Sequence, residues 1–351
     1  MSGVVSIPVL LVGNFAGGGS AGVRGVCEEL ALRLPHAGCP VVTTSSKPSR
    51  VLRLLDVVGT VLRQRRRYAV AQVDVFSGRA FVWAEAACAA LRMVGKPYIL
   101  TLHGGNLPRF ARRRPTRVQR LLRSAAAVTT PSRYLMEDLA EYRDDVRFIP
   151  NGLDLGAYQP RRRMRAGPRL VWLRSFHRLY NPSLAVRIVP IVAARFPDVH
   201  LTMIGLDKGD GSLQETERTA AQLGVADRVV FRGAVAKRDV PAALAEADIF
   251  LNTTTVDNAP VSVVEAMASG LCVVSTNVGG MPYLVEDGHD GLLVPSDDAP
   301  AMAAAVMRIL DEPDLAGTLS SRARQKATRF DWSPIIGEWR SLLAATAGRA
   351  E

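Results

Sequence analysis

Residues 257–291, DNAPVSVVEAMASGLCVVSTNVGGMPYLVEDGHDG, constrain the fold of this chain more than any other stretch. An apolar strand ends at Ile249, Phe250 and Leu251, and Thr253, Thr254 and Thr255 follow it. Pro260 stands where a first helical residue would stand, and 261–268 reads as a short buried helix. The N–H groups at its start have no intrahelical partners, and the helix dipole adds partial positive charge there. A phosphate is stabilised at such an end. Gly270 stops the helix, and 272–276 is the β-branched run of a buried parallel strand. Gly279-Gly280 then lets a ligand approach the backbone closely. Asp257 and Glu265 bracket the helix start, so both carboxylates can face a ligand bound at that turn.

The same alternation runs through the rest of the chain. Strands are predicted at 8–13, 41–44, 71–76, 97–103, 127–130 and 146–149, with helices between them, the first ending near residue 34. Pro150-Asn151-Gly152 marks a boundary, and the polar stretch to about 168 reads as linker. The pattern restarts with strands at 170–173, 200–204, 229–231 and 249–251. Helices are predicted at 182–195, 210–223 and 240–247, and near the end at 299–310, 315–330 and 334–347. Strands and helices of these lengths in alternation mean parallel sheets covered by helices on both faces. The fold class is α/β, with one domain at 1–150 and a second at 151–330.

The 351 residues suffice for two cores. With 48% hydrophobic and 22% charged residues the chain is globular rather than disordered. No apolar run is long enough to span a bilayer. Residues 7–12 are too few for a membrane helix and lack a basic stretch before them, so no signal peptide is expected. Cys27, Cys39, Cys88 and Cys272 form no CxxC pair and lie in apolar surroundings. They are expected to be small core residues in a reducing cytoplasm.

The net charge of +11 belongs to the first half alone. Residues 1–150 carry 22 Lys/Arg against 10 Asp/Glu, and 151–351 carry 22 against 23. Seven arginines fall between Arg109 and Arg123, with Phe110 the one aromatic among them. Stacking platforms for single-stranded nucleic acid are therefore absent, and no nucleic-acid partner is expected. Arg109, Arg112, Arg113, Arg114 and Arg117 suit an anionic membrane or a phosphate-bearing acceptor. An ordinary solvated basic face is the competing reading.

An acid, seven residues, then Glu-Ala-Met-Ala-x-Gly, a strand and a Gly-Gly turn resemble the donor site of family 4 glycosyltransferases, a retaining group with the GT-B fold. PNGLD at 150–154 and LRSFHRLYNP at 173–182 lie at the matching spacings, so the resemblance covers nearly the whole chain. It implies two Rossmann-like domains facing across a cleft, with a C-terminal helix, about 331–351, crossing back to the first. It also implies transfer of a sugar from a nucleoside-diphosphate sugar to an acceptor hydroxyl, with retention. Bacterial cell-surface polysaccharide, lipopolysaccharide or glycolipid synthesis is the expected setting, at the inner face of the plasma membrane. The acceptor is then a glycan or lipid-linked.

The resemblance also assigns residues. Glu265 takes the ribose hydroxyls of the nucleotide, for which a bidentate acceptor suits two adjacent donors; a buried ion pair is the alternative. Asp257 touches the donor sugar and stabilises positive charge at the anomeric carbon. The family usually has Glu there, so the identity of the sugar is left open, and a turn-forming Asp is the competing role. Arg174 clamps the diphosphate. A Lys is expected soon after it, but Tyr180 stands before Asn181-Pro182, so His177 or Arg178 is left to supply the second cation. Pro260, Val261 and Ser262 present the helix start, and His103, before Gly104-Gly105, faces the donor sugar. Gly17, Gly18 and Gly19 form a loop that closes on the donor or the acceptor. No Asp-x-Asp motif ends a strand, so no metal or other cofactor is expected to be required. The leaving phosphate is then the expected proton acceptor, in a front-face attack.

Two other classes stay open. Gly17 to Gly22 formally matches GxGxxG, as in an NAD-dependent oxidoreductase, but Val41-Val42-Thr43-Thr44 offers no acid for a ribose. Asp257 and Tyr180 are also compatible with a catalytically silent nucleotide-sugar binder.

Overall fold

The computed structural model describes residues 6–13, 15, 26–44, 46–47 and 49–348. Two compact units form, one from Met1–Gly152 with Trp332–Glu351, the other from Leu153–Asp331.

In the first unit the strands are β1 (Val9–Val12), β2 (Val41–Thr43), β3 (Val70–Val75), β4 (Tyr98–Leu102), β5 (Ala127–Thr130) and β6 (Arg147–Phe148). They make one parallel sheet in the order β2-β1-β3-β4-β5-β6. Side chains alternate across a strand. In β1, Leu10 and Val12 enter the core that holds Phe81, Leu91 and Leu121. Val9 and Leu11 enter the opposite one, with Leu30 and Leu34. That second core is closed by the terminal helix Trp332–Ala347 through Trp332, Ile335, Trp339, Leu342 and Leu343.

The second unit holds β7 (Arg169–Leu173), β8 (His200–Ile204), β9 (Val229–Gly233), β10 (Ile249–Asn252), β11 (Cys272–Thr276) and β12 (Leu292–Val294). Their order is β12-β11-β10-β7-β8-β9, again all parallel. Read from the other edge this is the doubly wound order in which the chain reverses direction between β7 and β10. Open α/β sheets take ligands outside the carboxyl ends of the strands at such a reversal. In the first unit the reversal lies between β1 and β3.

The helix expected at 182–195 divides into Pro182–Arg187 and Val189–Ala193. Pro190 has no N–H to give the ladder. A helix that was not expected, Leu107–Arg113, precedes the one at Pro115–Arg123. All four cysteines are buried and unpaired. Burial pushes the Cys88 and Cys272 thiols up to about 12, which keeps them protonated and inert. No helix among the described residues is long and apolar enough to cross a membrane.

Candidate active site

At the reversal of the second sheet, Arg174 leaves the carboxyl end of β7 and meets Asp257, on the loop after β10. Arg174 Nη2 donates to Asp257 Oδ2 at 2.5 Å. Asp257 is buried, and its Oδ1 accepts the Asn258 N–H at 2.8 Å. Both oxygens are engaged, so the turn-forming role and an ionic one coexist. Burial raises the Asp257 carboxyl above its ordinary value, and the Arg174 charge and the Asn258 N–H oppose that rise. Arg174 Nε is buried and has no hydrogen-bond partner among the described residues.

Tyr180 supports this arginine from below. The Arg174 guanidinium lies 4.3 Å from the centre of the Tyr180 ring, a cation–π contact. The loop carrying the tyrosine is tied down by the threonines after β10. Thr253 Oγ1 donates to the Tyr180 carbonyl at 2.7 Å, and Thr254 and Thr255 donate to that of Leu179 at 3.1 and 3.0 Å. On the other side Gly205 is essential: a Cβ there would stand 1.7 Å from the Arg174 carbonyl oxygen. The sequence gives the three threonines no role and does not mark Gly205, because their role lies in contacts across the sheet. Of the two residues expected to stand in for the missing lysine, His177 accepts the Leu179 N–H on Nδ1 at 3.1 Å, and Arg178 is exposed.

The helix Val261–Ala268 starts after Pro260 as expected, and all of it from Ser262 on is buried. The Ser262 Oγ is buried with no hydrogen-bond partner among the described residues. Glu265 is 4% exposed and is paired after all. Its Oε1 accepts the Tyr158 hydroxyl at 2.6 Å and also pairs with the Lys237 ammonium. Its Oε2 accepts no hydrogen bond among the described residues. A lysine therefore does reach this site, but from Lys237, 57 residues beyond Tyr180, which stands at the expected position. Burial and the neighbouring Glu265 charge push the Tyr158 hydroxyl well above its usual range, so it stays a donor.

Gly279 and Gly280 pack against the chain's own backbone. A Cβ on Gly279 would lie 2.2 Å from the Asp257 carbonyl oxygen, and one on Gly280 1.8 Å from that of Asn258. The turn makes room for the chain's own Asp257–Asn258 loop.

In the first unit, His103 follows β4 and is 8% exposed. Its Nε2 lies 3.0 Å from Asp74 Oδ1, at the end of β3, and its ring stacks on Phe76 at 5.1 Å. Gln72 Nε2 donates to the same Asp74 oxygen at 2.8 Å and to Thr101 Oγ1 at 2.8 Å. The ring N–H is thus turned to Asp74, and Nδ1 is the nitrogen left for a ligand. Gly17, Gly18 and Gly19 lie outside the described residues.

The arginine segment is less uniformly free than its sequence implied. Arg117 Nε donates to Glu85 at 2.7 Å, and Arg112 to Asp138 at 3.1 Å. Arg109, Arg113, Arg114, Arg120 and Arg123 are exposed and have no carboxylate partner among the described residues. Elsewhere, Glu286, His289 and Asp290 could group around a cation. Asp290 is already held by Lys326 at 2.6 Å, and nothing further marks a metal site there.

Known proteins share both the sequence pattern and the fold. Residues 21–157 match the family model for Glycosyltransferase Family 4, and residues 167–312 that for Glycosyl transferases group 1. Phosphatidyl-myo-inositol mannosyltransferase of Mycolicibacterium smegmatis is 29% identical over 222 residues, which cover 62% of this chain and 55% of that protein. The GDP-mannose-dependent alpha-(1-6)-phosphatidylinositol monomannoside mannosyltransferase of the same organism is 29% identical, over 67% of this chain and 66% of that protein. The D-inositol 3-phosphate glycosyltransferase of Acidothermus cellulolyticus is 27% identical, over 84% of this chain and 72% of its own length. The match thus spans between about half and three quarters of these relatives. Among solved structures, Anabaena HepE with UDP and glucose superposes with a TM-score of 0.77 at 19% identity, over 97% of this chain and 100% of that one. Sucrose-phosphate synthase from Thermosynechococcus elongatus gives 0.79 at 19% identity, with the same coverage. These likenesses identify the fold as GT-B, and neither a dehydrogenase nor a silent binder is favoured by the matches. Two family models that together take in most of the chain, with the sheet order and the helix start found at the reversal of the second sheet, place this protein in glycosyltransferase family 4.

Proposed function

We propose that the protein transfers a sugar from a nucleoside-diphosphate sugar to an acceptor hydroxyl with retention at the anomeric carbon. One observation carries this reading: unspent polar groups converge at the reversal of the second sheet. Among the described residues they are the Arg174 Nε, the Ser262 Oγ, the N–H groups of Val261 and Ser262 at the helix start, and Glu265 Oε2. Anionic oxygens suit the first three, and a pair of ribose hydroxyls suits the last.

In this reading Lys237 and Tyr158 hold Oε1 of Glu265, so that Oε2 points its lone pairs at the nucleoside. Arg174 and the helix start neutralise the diphosphate as the sugar–phosphate bond breaks, a charge that grows toward the transition state. The leaving phosphate oxygen takes the proton of the attacking hydroxyl. Asp257 orients the sugar, and its carboxylate offsets the Arg174 charge. In the first unit His103, positioned by Asp74, is the proposed contribution to the reaction. No required metal is proposed, since no Asp-x-Asp motif ends a strand.

The acceptor class follows from relatives named for phosphatidylinositol and inositol phosphate. We place the acceptor among phosphoinositol-type or other lipid-linked compounds, and the protein at an anionic membrane face in the cytoplasm. The free arginines at 109–123 support this. So do Val51, Leu52 and Leu55, which are 68, 56 and 64% exposed at the start of helix Arg50–Arg63. Exposed apolar side chains and exposed basic ones both favour the interface of an anionic bilayer. The test is a panel of nucleotide sugars read by saturation-transfer NMR, followed by assay of the bound donor with phosphatidylinositol vesicles in EDTA. Binding of NADH in place of any nucleoside diphosphate overturns the reading, as does strict dependence on Mg²⁺ or Mn²⁺ for its metal-free step.

A further inference from the structure

A cavity of about 570 Å³ opens on the amino-terminal edge of the second sheet, away from the edge that carries Arg174 and Asp257. Arg169 starts β7, His200 starts β8 and pairs with it in register, and Asp248 immediately precedes β10. Above these strand starts passes the segment RRRMRAGP, 161–168. Residues 158–166 fall between the two family-model matches, so the matches give this segment no role.

Its charges do not balance. Asp248 is 2% exposed and takes three arginines. Arg161 pairs with Oδ1, Arg163 Nε lies 3.5 Å from the same oxygen, and Arg169 Nε donates to Oδ2 at 2.8 Å. Arg163 is itself buried; its other nitrogens donate to the carbonyls of Arg161 and Ala247 at 2.7 Å and to that of Ser269, while its Nε makes no hydrogen bond among the described residues. Burial and the neighbouring Arg161 lower the Arg163 guanidinium to about 10, so it is still a cation at neutral pH. Arg162 and Arg165 line the same cavity, are exposed, and pair with no carboxylate among the described residues. Asp198 is the one further carboxylate of the lining. Five guanidiniums thus face two carboxylates. Such an excess against a low-dielectric wall concentrates anions, and planar guanidinium forks match phosphate oxygens in pairs.

We propose that this cavity is a second anion site, which binds a phosphate-bearing ligand through Arg162 and Arg165 against the fixed charge of Arg161 and Arg163. The site is independent of the glycosyl-transfer reading. The phosphate can belong to a soluble compound or to a lipid headgroup, and the experiment separates the two.

Inorganic pyrophosphate is titrated into the full chain by calorimetry, for wild type, R174A and R162S/R165S. Two classes of site are expected in wild type. R162S/R165S should lose one of them by about tenfold or more, the scale of one charge-assisted hydrogen bond. R174A should retain that class and weaken the other. Arg162 and Arg165 are exposed, and unchanged thermal unfolding confirms an intact fold; the single variant R165E should show the same loss. Sedimentation with phosphatidylcholine vesicles, with and without phosphatidylinositol phosphate, then names the source. Vesicle binding lost in R162S/R165S means a headgroup, and pyrophosphate binding without vesicle binding means a soluble ligand. Wild-type affinity for pyrophosphate in both R162S/R165S and R165E overturns the proposal, and the arginines are then only the anchors of Asp248 and a solvated linker.

Discussion

Arg174 and Asp257, 83 positions apart in the chain, form an ion pair of 2.5 Å at the reversal of the second sheet. The residue proposed to clamp the diphosphate is therefore already neutralised by the residue proposed to touch the sugar. A donor entering the site has to compete with that carboxylate for the guanidinium.

Removing the competitor should tighten the grip on product. In D257N, a nucleoside diphosphate should bind more tightly by about 1 kcal/mol, roughly fivefold, while turnover of the nucleotide sugar falls. Calorimetry with UDP and GDP reads the first effect. Weaker binding in a folded D257N would show that Asp257 helps hold the diphosphate and does not compete with it.

The same carboxyl gives a pH signature. Burial holds its proton in the folded protein to a higher pH than in the unfolded chain, whose carboxyl titrates near 3.9. The proton then adds stability below the unfolded value, and this is lost as the pH rises through the raised folded value. D257N has no such titration. Its stability relative to wild type should therefore increase between about pH 4 and neutrality, as followed by thermal unfolding. A difference that stays flat over this range contradicts the raised carboxyl.

Glu265 should matter to every donor, since ribose is common to all of them. E265A is expected to cost about tenfold or more in UDP or GDP affinity, the scale of a charge-assisted hydrogen bond. K237A and Y158F should produce smaller losses, because each removes one support of Oε1 and leaves Oε2 in place. Unchanged affinity in folded E265A would show that the buried ion pair is the whole of its role.

The membrane prediction is altered by the ion pairs of Arg112 and Arg117. Those two are already partnered, so substituting Arg109, Arg113, Arg114 and Arg120 with Ser should abolish co-sedimentation with anionic liposomes at low salt. Each basic side chain near the surface contributes on the order of 1 kcal/mol, screened within about a Debye length. Charging the apolar turn, as in L52D/L55D, should weaken binding even with all arginines present. Binding that ignores lipid charge would make the basic face an ordinary solvated one.

The sequence made the parallel architecture legible because strand and helix periods alternate cleanly, and it exposed the helix start at Pro260 and the carboxylate at Glu265 through their apolar setting. Partners of those residues were not legible. Asp74 is held against His103, and Lys237 and Tyr158 against Glu265, by strand order, which periodicity does not encode. Gly205 looks like any loop glycine until β7 and β8 are laid side by side. The arginine run seemed unopposed because its balancing acids, Glu85 and Asp138, lie on separate helices. The break at Pro190 was written in the chain and was overridden by the apolar period on either side of it.

The central claim is tested most directly by following a nucleotide-sugar panel, GDP-mannose and UDP-glucose included, with phosphatidylinositol vesicles in the presence of EDTA. Nucleoside diphosphate is read by phosphorus NMR, and the anomeric centre of the product by proton NMR. The account predicts that one donor releases its nucleoside diphosphate only with acceptor, that the new glycoside keeps the donor's anomeric configuration, and that E265A loses both signals. Wild-type protein that binds a nucleoside diphosphate but releases none across the panel, or a product of inverted configuration, would contradict it.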